Sequence, residues 1–169
     1  MRKKILWLII SLSIIIIFGL AFLIIEKYES IQVKRENEKT MSKIILDKID
    51  GSKIDLQNLT NQPSIIFFFN TDCEHCQNEA EEIIKYKNNF KNRNVLWLSI
   101  EPIENLLKFE EKYKIQETIP SLKIAKISIT DLNKNFNIST NPTILIYKDK
   151  KLVRKFDGET KIEVILKYL

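Results

Sequence analysis

Ser64 to Phe69 is a continuous apolar run of strand length, and only Asn70-Thr71-Asp72 separates it from Cys73-Glu74-His75-Cys76. The next residues place Ala80, Ile83, Ile84, Lys87 and Phe90 at spacings of three and four. The run predicts a strand buried on both faces, in the middle of a sheet. The spacing predicts an amphipathic helix over 76–92. A buried strand handing the chain straight to such a helix calls for an α/β layered domain.

The flanking sequence repeats that alternation. Ile44 to Leu46 and Lys53 to Leu56 straddle the turn dipeptide Asp50-Gly51 and predict a short hairpin. Val95 to Ile100 predicts a second buried strand, Ile103 to Tyr113 a helix, and Thr130 to Phe136 a shorter one. Thr143 to Tyr147 and Lys151 to Phe156 straddle Asp149-Lys150 as a closing hairpin, and Thr160 to Leu169 predicts a last helix. Leu122 to Ile127 carries no clear signal. The expected order is β-hairpin, β, α, β, α, α, β, β, α.

Two cysteines three positions apart make a poor structural staple, because the loop they close is too small to remove much entropy from the unfolded chain. They suit electron exchange better, since the attacking species is a thiolate and a helix N-terminus stabilises negative sulfur through its dipole and free N–H groups. Cys73, at the tip, is the expected nucleophile, and Cys76, one turn in, the shielded resolving thiol. A structural or metal-binding pair is the competing reading. His75 is the only histidine, which excludes a multi-histidine metal site, so no metal and no cofactor beyond the cysteine pair is expected. As imidazolium His75 would favour a thiolate on Cys73, while Glu74 opposes it. Glu79 lies one turn beyond Cys76 on the same side of the helix and suits a general base for that thiol. The alternative is an acid satisfying the N-terminal half of the helix. Asn141-Pro142-Thr143 stands before an apolar strand, where a proline marks a strand start or turn.

Ahead of the domain, Ile5 to Ile25 contains no charged residue, and as a helix it would reach roughly 31 Å at ~1.5 Å per residue, about the thickness of a bilayer core. It is expected to be a transmembrane anchor (5–25), with residues 1–4 cytoplasmic, 26–43 a polar linker, either a spacer or a frayed helical extension of the anchor with no function beyond reach, and 44–169 the domain. Arg2, Lys3 and Lys4 precede the span and a mixed flank follows it, so the domain is expected outside the cell membrane. Gly19-Leu20-Ala21 keeps a cleaved signal peptide open as the rival reading. The net charge of +5 is concentrated early: residues 1–43 hold eight Lys/Arg and four Asp/Glu, leaving 19 basic and 18 acidic residues for the rest. A nearly neutral domain without a basic stripe is not expected to bind nucleic acid.

Residues 44–169 resemble the TlpA/ResA-like branch of the thioredoxin superfamily, membrane-tethered thiol–disulfide oxidoreductases. The resemblance rests on Asp50-Gly51 with Ile54, Leu56 and Leu59, on Phe67 through Glu79, and on Phe136-Asn137-Ile138, Asn141-Pro142-Thr143, Asp149 to Val153 and Asp157-Gly158. It implies a thioredoxin-like fold, Cys73 as nucleophile, Cys76 as resolving thiol, Glu79 as the acid beside the site and Pro142 as a cis-proline. It further implies that the backbone before Pro142 pairs with substrate. The implied partners are thiols and disulfides of exported proteins, cytochrome c apoprotein among them, and a membrane electron donor. The family commonly has Trp before the first Cys and Pro before the second; here these are Asp72 and His75. Asp72, Glu74 and Glu79 against one imidazole disfavour negative sulfur, so the expected direction is reduction of substrates, with an oxidase or isomerase as the alternative. A copper-handling thioredoxin-fold protein and a peroxidase are the other classes. The peroxidase would need Thr three residues before its Cys, and Thr71 is two before Cys73.

Overall fold

The computed structural model describes residues 2–59 and 62–169, apart from the side chains of residues 2, 3, 5, 6, 8, 9 and 11. Helix α1 (Arg2–Glu38) precedes strands β1 (Ile45–Lys48) and β2 (Lys53–Asp55) and a 3-10 turn over Leu56–Asn58. Strand β3 (Ser64–Phe68), helices α2 (Glu74–Lys85) and α3 (Lys87–Phe90), strand β4 (Asn94–Ser99), and helices α4 (Ile103–Tyr113) and α5 (Ile115–Thr118) follow. The chain closes with β5 (Leu122–Lys126), α6 (Ile129–Asn135), β6 (Thr143–Lys148), β7 (Lys151–Asp157) and α7 (Ile162–Leu166).

The seven strands form one sheet in the order β2-β1-β5-β4-β3-β6-β7. β3, β4 and β5 run parallel, and β1, β2, β6 and β7 add antiparallel edges. β3 is flanked by β4 and β6, and all five of its residues are buried, as its unbroken apolar run requires. Its alternate side chains serve two cores. Ile65, Phe67 and Phe69 join Cys76, Ala80, Ile83 and Trp97 under α2, while Ile66 and Phe68 join Leu96, Leu98, Leu145 and Phe136 on the other face. Each fully buried side chain of this kind contributes roughly 1.5–3 kcal/mol of transfer free energy.

The sheet contains a strand that the sequence pattern did not announce. Leu122–Lys126 is β5, between β1 and β4, and Lys123 and Lys126 break what would otherwise be an apolar run while Leu122, Ile124 and Ala125 are buried. The helix expected over 76–92 is two helices, because Tyr86 (φ −102°, ψ 19°) leaves the helical region and caps α2. Its hydroxyl donates to the Glu163 carboxylate on α7.

The segment 26–43, expected as a spacer or helical extension with no role beyond reach, is helical to Glu38 and also makes contacts with the domain. Helix α1 runs unbroken to Glu38, and residues 37–41 belong to the folded unit. Glu38, 4% exposed, accepts from Lys155 Nζ (2.9 Å) and Asn137 N (3.0 Å), and its carbonyl accepts from the Tyr147 hydroxyl (2.8 Å). Asn37 Nδ2 donates to Lys134 O, Met41 is buried, and Met41 N and Leu152 N bond across the 39–41 and 150–152 backbones. A polar composition hid this seam because its key members are an acid and an amide with partners about a hundred positions away. Glu38→Ala strips Lys155 of its best-placed carboxylate inside the fold. It is expected to lower unfolding free energy by about 2 kcal/mol in urea titration, less than a fully buried pair because Lys155 keeps Asn137 O.

The anchor expected at 5–25 lies within α1. Its side chains at 5, 6, 8, 9 and 11 fall outside the described residues, as do Met1 and the side chains of Arg2 and Lys3 in the segment 1–4. Among the described residues no helix is long and apolar enough to cross a membrane.

Candidate active site

The loop between β3 and α2 is braced before any cysteine is reached. Thr71 N and Oγ1 donate to the two carboxylate oxygens of Glu101 (2.9 and 3.2 Å), Asp72 N donates to Asn70 Oδ1 (3.0 Å), and Gln77 Nε2 returns to Thr71 O (2.9 Å). Glu101 in turn is held by its own N–H, which donates to the buried Ser99 Oγ. Neither Glu101 nor Gln77 was legible as a site residue. An acid just past the second buried strand, close in space to the first, is the only hint the sequence offers.

Cys73 is the N-cap residue of α2 and Cys76 lies in its first turn. Both thiols are free; Cys73 is half-buried and Cys76 is fully buried. Cys76 N and Gln77 N both donate to Cys73 O (3.0 Å each), so the cysteine backbone opens the helix. Burial pushes the Cys76 thiol well above the ordinary range, and hydrogen bonding with Cys73 pushes it further. Cys73 Sγ faces the carbonyl of Asn141 at 3.5 Å, across the Asn141–Pro142 peptide bond, which is cis. Thr143 starts β6 fully buried, its hydroxyl donating to Thr140 O (2.7 Å). The structure thus brings the cysteine loop and the Asn141-Pro142-Thr143 loop together at one end of the sheet.

Glu79 is 2% exposed on α2. Its Oε2 accepts from Thr160 N (3.3 Å), and Oε1 has no hydrogen-bond partner among the described residues. Burial pushes its carboxyl up to about 8, aided by the charges of Glu159 and Glu82 and opposed by the Thr160 N–H. The Glu79 charge also raises the Cys76 thiol, behind burial and Cys73. Thr160 reaches Glu79 through Gly158, whose φ of +97° turns the chain out of β7 and into the 159–161 loop; a side chain at 158 would be strained there. His75 is exposed, and its Nδ1 sits 2.6 Å from Glu159 Oε2, so its ring is engaged by a carboxylate of the loop after β7. Glu74 is the exposed first residue of α2. Glu159 and Thr160 are further site residues that strand-and-helix reasoning passed over, because they lie in the loop after β7. Among the described residues no group of three or more His, Cys, Asp or Glu side chains is arranged to hold a metal ion.

Known proteins agree with this architecture. The "Thiol-disulfide oxidoreductase ResA" of Bacillus cereus is 22% identical over 173 residues, covering 100% of this chain and 97% of that protein. StoA from Bacillus subtilis superposes with a TM-score of 0.61 at 17% identity, covering 77% of this chain and 98% of StoA. A secreted Mycobacterium tuberculosis disulfide oxidoreductase, described as homologous to DsbE of E. coli, gives 0.61 at 12% identity over 75% of this chain and 96% of its own. The solved structures establish the thioredoxin-like α/β fold. Residues 38–156 match the AhpC/TSA family model, a match that begins at the buried Glu38 seam and contains the cysteine pair and the cis-proline loop, so the chain belongs to the AhpC/TSA family.

Proposed function

We propose that this chain is a membrane-anchored, extracytoplasmic thiol–disulfide oxidoreductase that reduces disulfides of exported proteins, cytochrome c apoprotein thiol pairs being one substrate within that class. The observation that carries the reading is the pairing of a half-buried Cys73 at a helix start with a fully buried Cys76 beside the buried Glu79. In the reaction Cys73 thiolate attacks one substrate sulfur. A Cys73–substrate disulfide forms, the substrate S–S bond breaks, and its electron pair leaves on the second substrate sulfur, which takes up a proton. Cys76 then gives its proton to Glu79 and attacks Cys73 sulfur, expelling the first substrate sulfur as a thiolate. The Cys73 proton is lost to solvent before the attack, Glu79 passes the Cys76 proton on to solvent, and both substrate sulfurs are reprotonated from solvent, so the net change is two electrons and, by way of solvent, two protons from the dithiol to the substrate; a membrane-associated dithiol donor restores the pair. The Asn141 carbonyl, close to Cys73 Sγ, is positioned to pair with a substrate strand.

Against a peroxidase, the nearest threonine hydroxyl is two residues before Cys73 and is engaged: Thr71 Oγ1 donates to Glu101. Equilibrating the full chain with a glutathione redox buffer tests the reading. The expected potential lies nearer that of thioredoxin (about −270 mV) than that of DsbA (about −120 mV), because carboxylates outnumber the one imidazole around Cys73. A value above about −160 mV would reassign the chain to oxidase or isomerase chemistry.

The anchor reading rests on the charge-free run Ile5 to Ile25 and on large apolar side chains from Trp7 to Ile25 that stand exposed along α1. Protease added to intact spheroplasts is expected to remove the domain. Protection of α7 in intact spheroplasts, with digestion only after lysis, would place it on the cytoplasmic side instead.

A further inference from the structure

Helix α2 meets the chain after β7 at three points. His75 Nδ1 is 2.6 Å from Glu159 Oε2, Thr160 N donates to Glu79 Oε2 at 3.3 Å, and the Tyr86 hydroxyl at the end of the helix donates to Glu163. His75 and Glu79 are four positions apart, so they stand on one face of α2, and they engage consecutive residues of the loop. A carboxylate oxygen only accepts, so Nδ1 carries the hydrogen of the first contact. The loop is fixed at both ends: Gly158 N donates to Pro142 O (2.8 Å), and Ile162 is buried. Between those points Glu159 and Lys161 are exposed and Thr160 is half-buried, so α2 holds the middle of the loop through side chains. The Thr160 N–H is the one hydrogen-bond donor to the Glu79 carboxylate among the described residues. The charged and titratable groups around Glu79 are Cys76, Glu81 and Glu82 on α2, Glu159 and Lys161 on the loop, and Glu163 on α7. Of these surroundings the Thr160 N–H favours the carboxylate form, while burial and the charges of Glu159 and Glu82 favour the acid.

We propose that His75 is a positioning residue: by holding Glu159 it clips the loop after β7 onto α2 and keeps the Thr160 N–H on the Glu79 carboxylate, so that it serves resolution of the mixed disulfide rather than the first attack. The proposal rests on the oxidoreductase reading and assigns to a residue between the two cysteines a task directed away from Cys73. With the loop held, Glu79 ionises more readily and can take the Cys76 proton when that thiol attacks Cys73 sulfur. With the loop released, the carboxylate loses its donor, the acid form gains, and the same attack slows at neutral pH. The His75 and Glu159 side chains are 66% and 41% exposed, which limits the expected effect to a few-fold.

Reduced full chain in detergent micelles, mixed with glutathione disulfide, tests this. Rapid acid quench and mass spectrometry follow the glutathione adduct as it forms on Cys73 and as it decays through Cys76, and the two phases are fitted separately across a pH series. In His75→Ala the decay should be roughly threefold slower than in the wild-type chain at pH 7, with its inflection about half a pH unit higher. His75→Asn, whose amide nitrogen takes the place of Nδ1 and still donates, should restore most of the decay rate. In a Glu159→Ala chain there is nothing left to clip, so adding His75→Ala should change the decay no further. A wild-type decay profile in His75→Ala would overturn the clip and leave the oxidoreductase reading intact. The same holds if His75→Asn decays no faster than His75→Ala, or if the His75→Ala effect persists undiminished in the Glu159→Ala chain, since the ring would then act without the loop. Decay with no inflection near pH 8 in the wild-type chain would remove the base role of Glu79 and the clip with it. Failure to form any adduct or release any glutathione would remove the oxidoreductase reading itself.

Discussion

Replacing Cys76 with alanine is expected to leave a protein that couples to its substrate once and then stops. Cys73 remains at the start of α2, half-exposed and able to attack, but the thiol that would release it is gone. Resolution by Cys76 is intramolecular, between residues one helical turn apart. Losing a positioned intramolecular nucleophile slows release by roughly a thousandfold or more relative to the intact pair. The variant should accumulate Cys73-linked mixed disulfides, visible as higher-mass species on non-reducing gels and collapsed by dithiothreitol. Cys73→Ala should accumulate none, because Cys76 is fully buried and burial holds its thiol protonated. Equal trapping by both variants would show that the roles of nucleophile and resolving thiol are not divided in this way.

Glu79→Gln has two consequences of opposite sign for the molecule. In the fold Glu79 holds its proton up to about pH 8, against an ordinary value of 4.5. Between those limits the native state binds more protons than the unfolded chain. The stabilising contribution of the neutral acid is complete below about pH 4.5 and is lost as pH rises through about 8. Glutamine is never charged and escapes that loss. At pH 9 the variant should be more stable than the parent by on the order of 4 kcal/mol, and at pH 4 nearly equal to it. Chemical denaturation at the two pH values measures the difference. The rate moves the other way. Resolution of the mixed disulfide in the parent should rise with pH as Glu79 ionises and becomes able to accept the Cys76 proton. In the variant it should be slower at pH 7 by roughly 10²-fold, with the inflection near pH 8 removed. An unchanged pH–rate profile with altered stability would make Glu79 a buried structural acid and nothing more.

The parts of this molecule that could be read from its sequence are those whose cause is local. Five buried residues in a row made β3 legible, three- and four-residue spacing made α2 and α4 legible, and the meeting of strand and helix at Cys73 located the reacting sulfur. Strand β5 was missed because Lys123 and Lys126 interrupt its apolar residues, and only the neighbouring β4 and β1 reveal why those positions tolerate a charge. Glu101, Glu159 and Thr160 were missed for a similar reason. Each acts on a residue some 30 to 84 positions away, through a backbone N–H or a ring nitrogen that carries no sequence signature. The two ends of the Asn141 contact were both visible in the sequence, as a proline-led strand and a cysteine-led helix. Their closing to 3.5 Å depends on β3 and β6 being neighbours in the sheet.

The seam at Glu38 ties the C-terminal end of α1 to the domain. With residues 5–25 in a bilayer, the thirteen residues from there to Glu38 form a strut of roughly 20 Å at ~1.5 Å per residue. Because Lys155, Asn137 and Tyr147 grip its end, such a strut would set both the height of Cys73 above the lipid and the direction it faces. A domain on a flexible tether would sweep a hemisphere. A domain held by such a strut would instead keep to a thin layer parallel to the bilayer, and a donor that recharges it would have to present its own dithiol at that altitude.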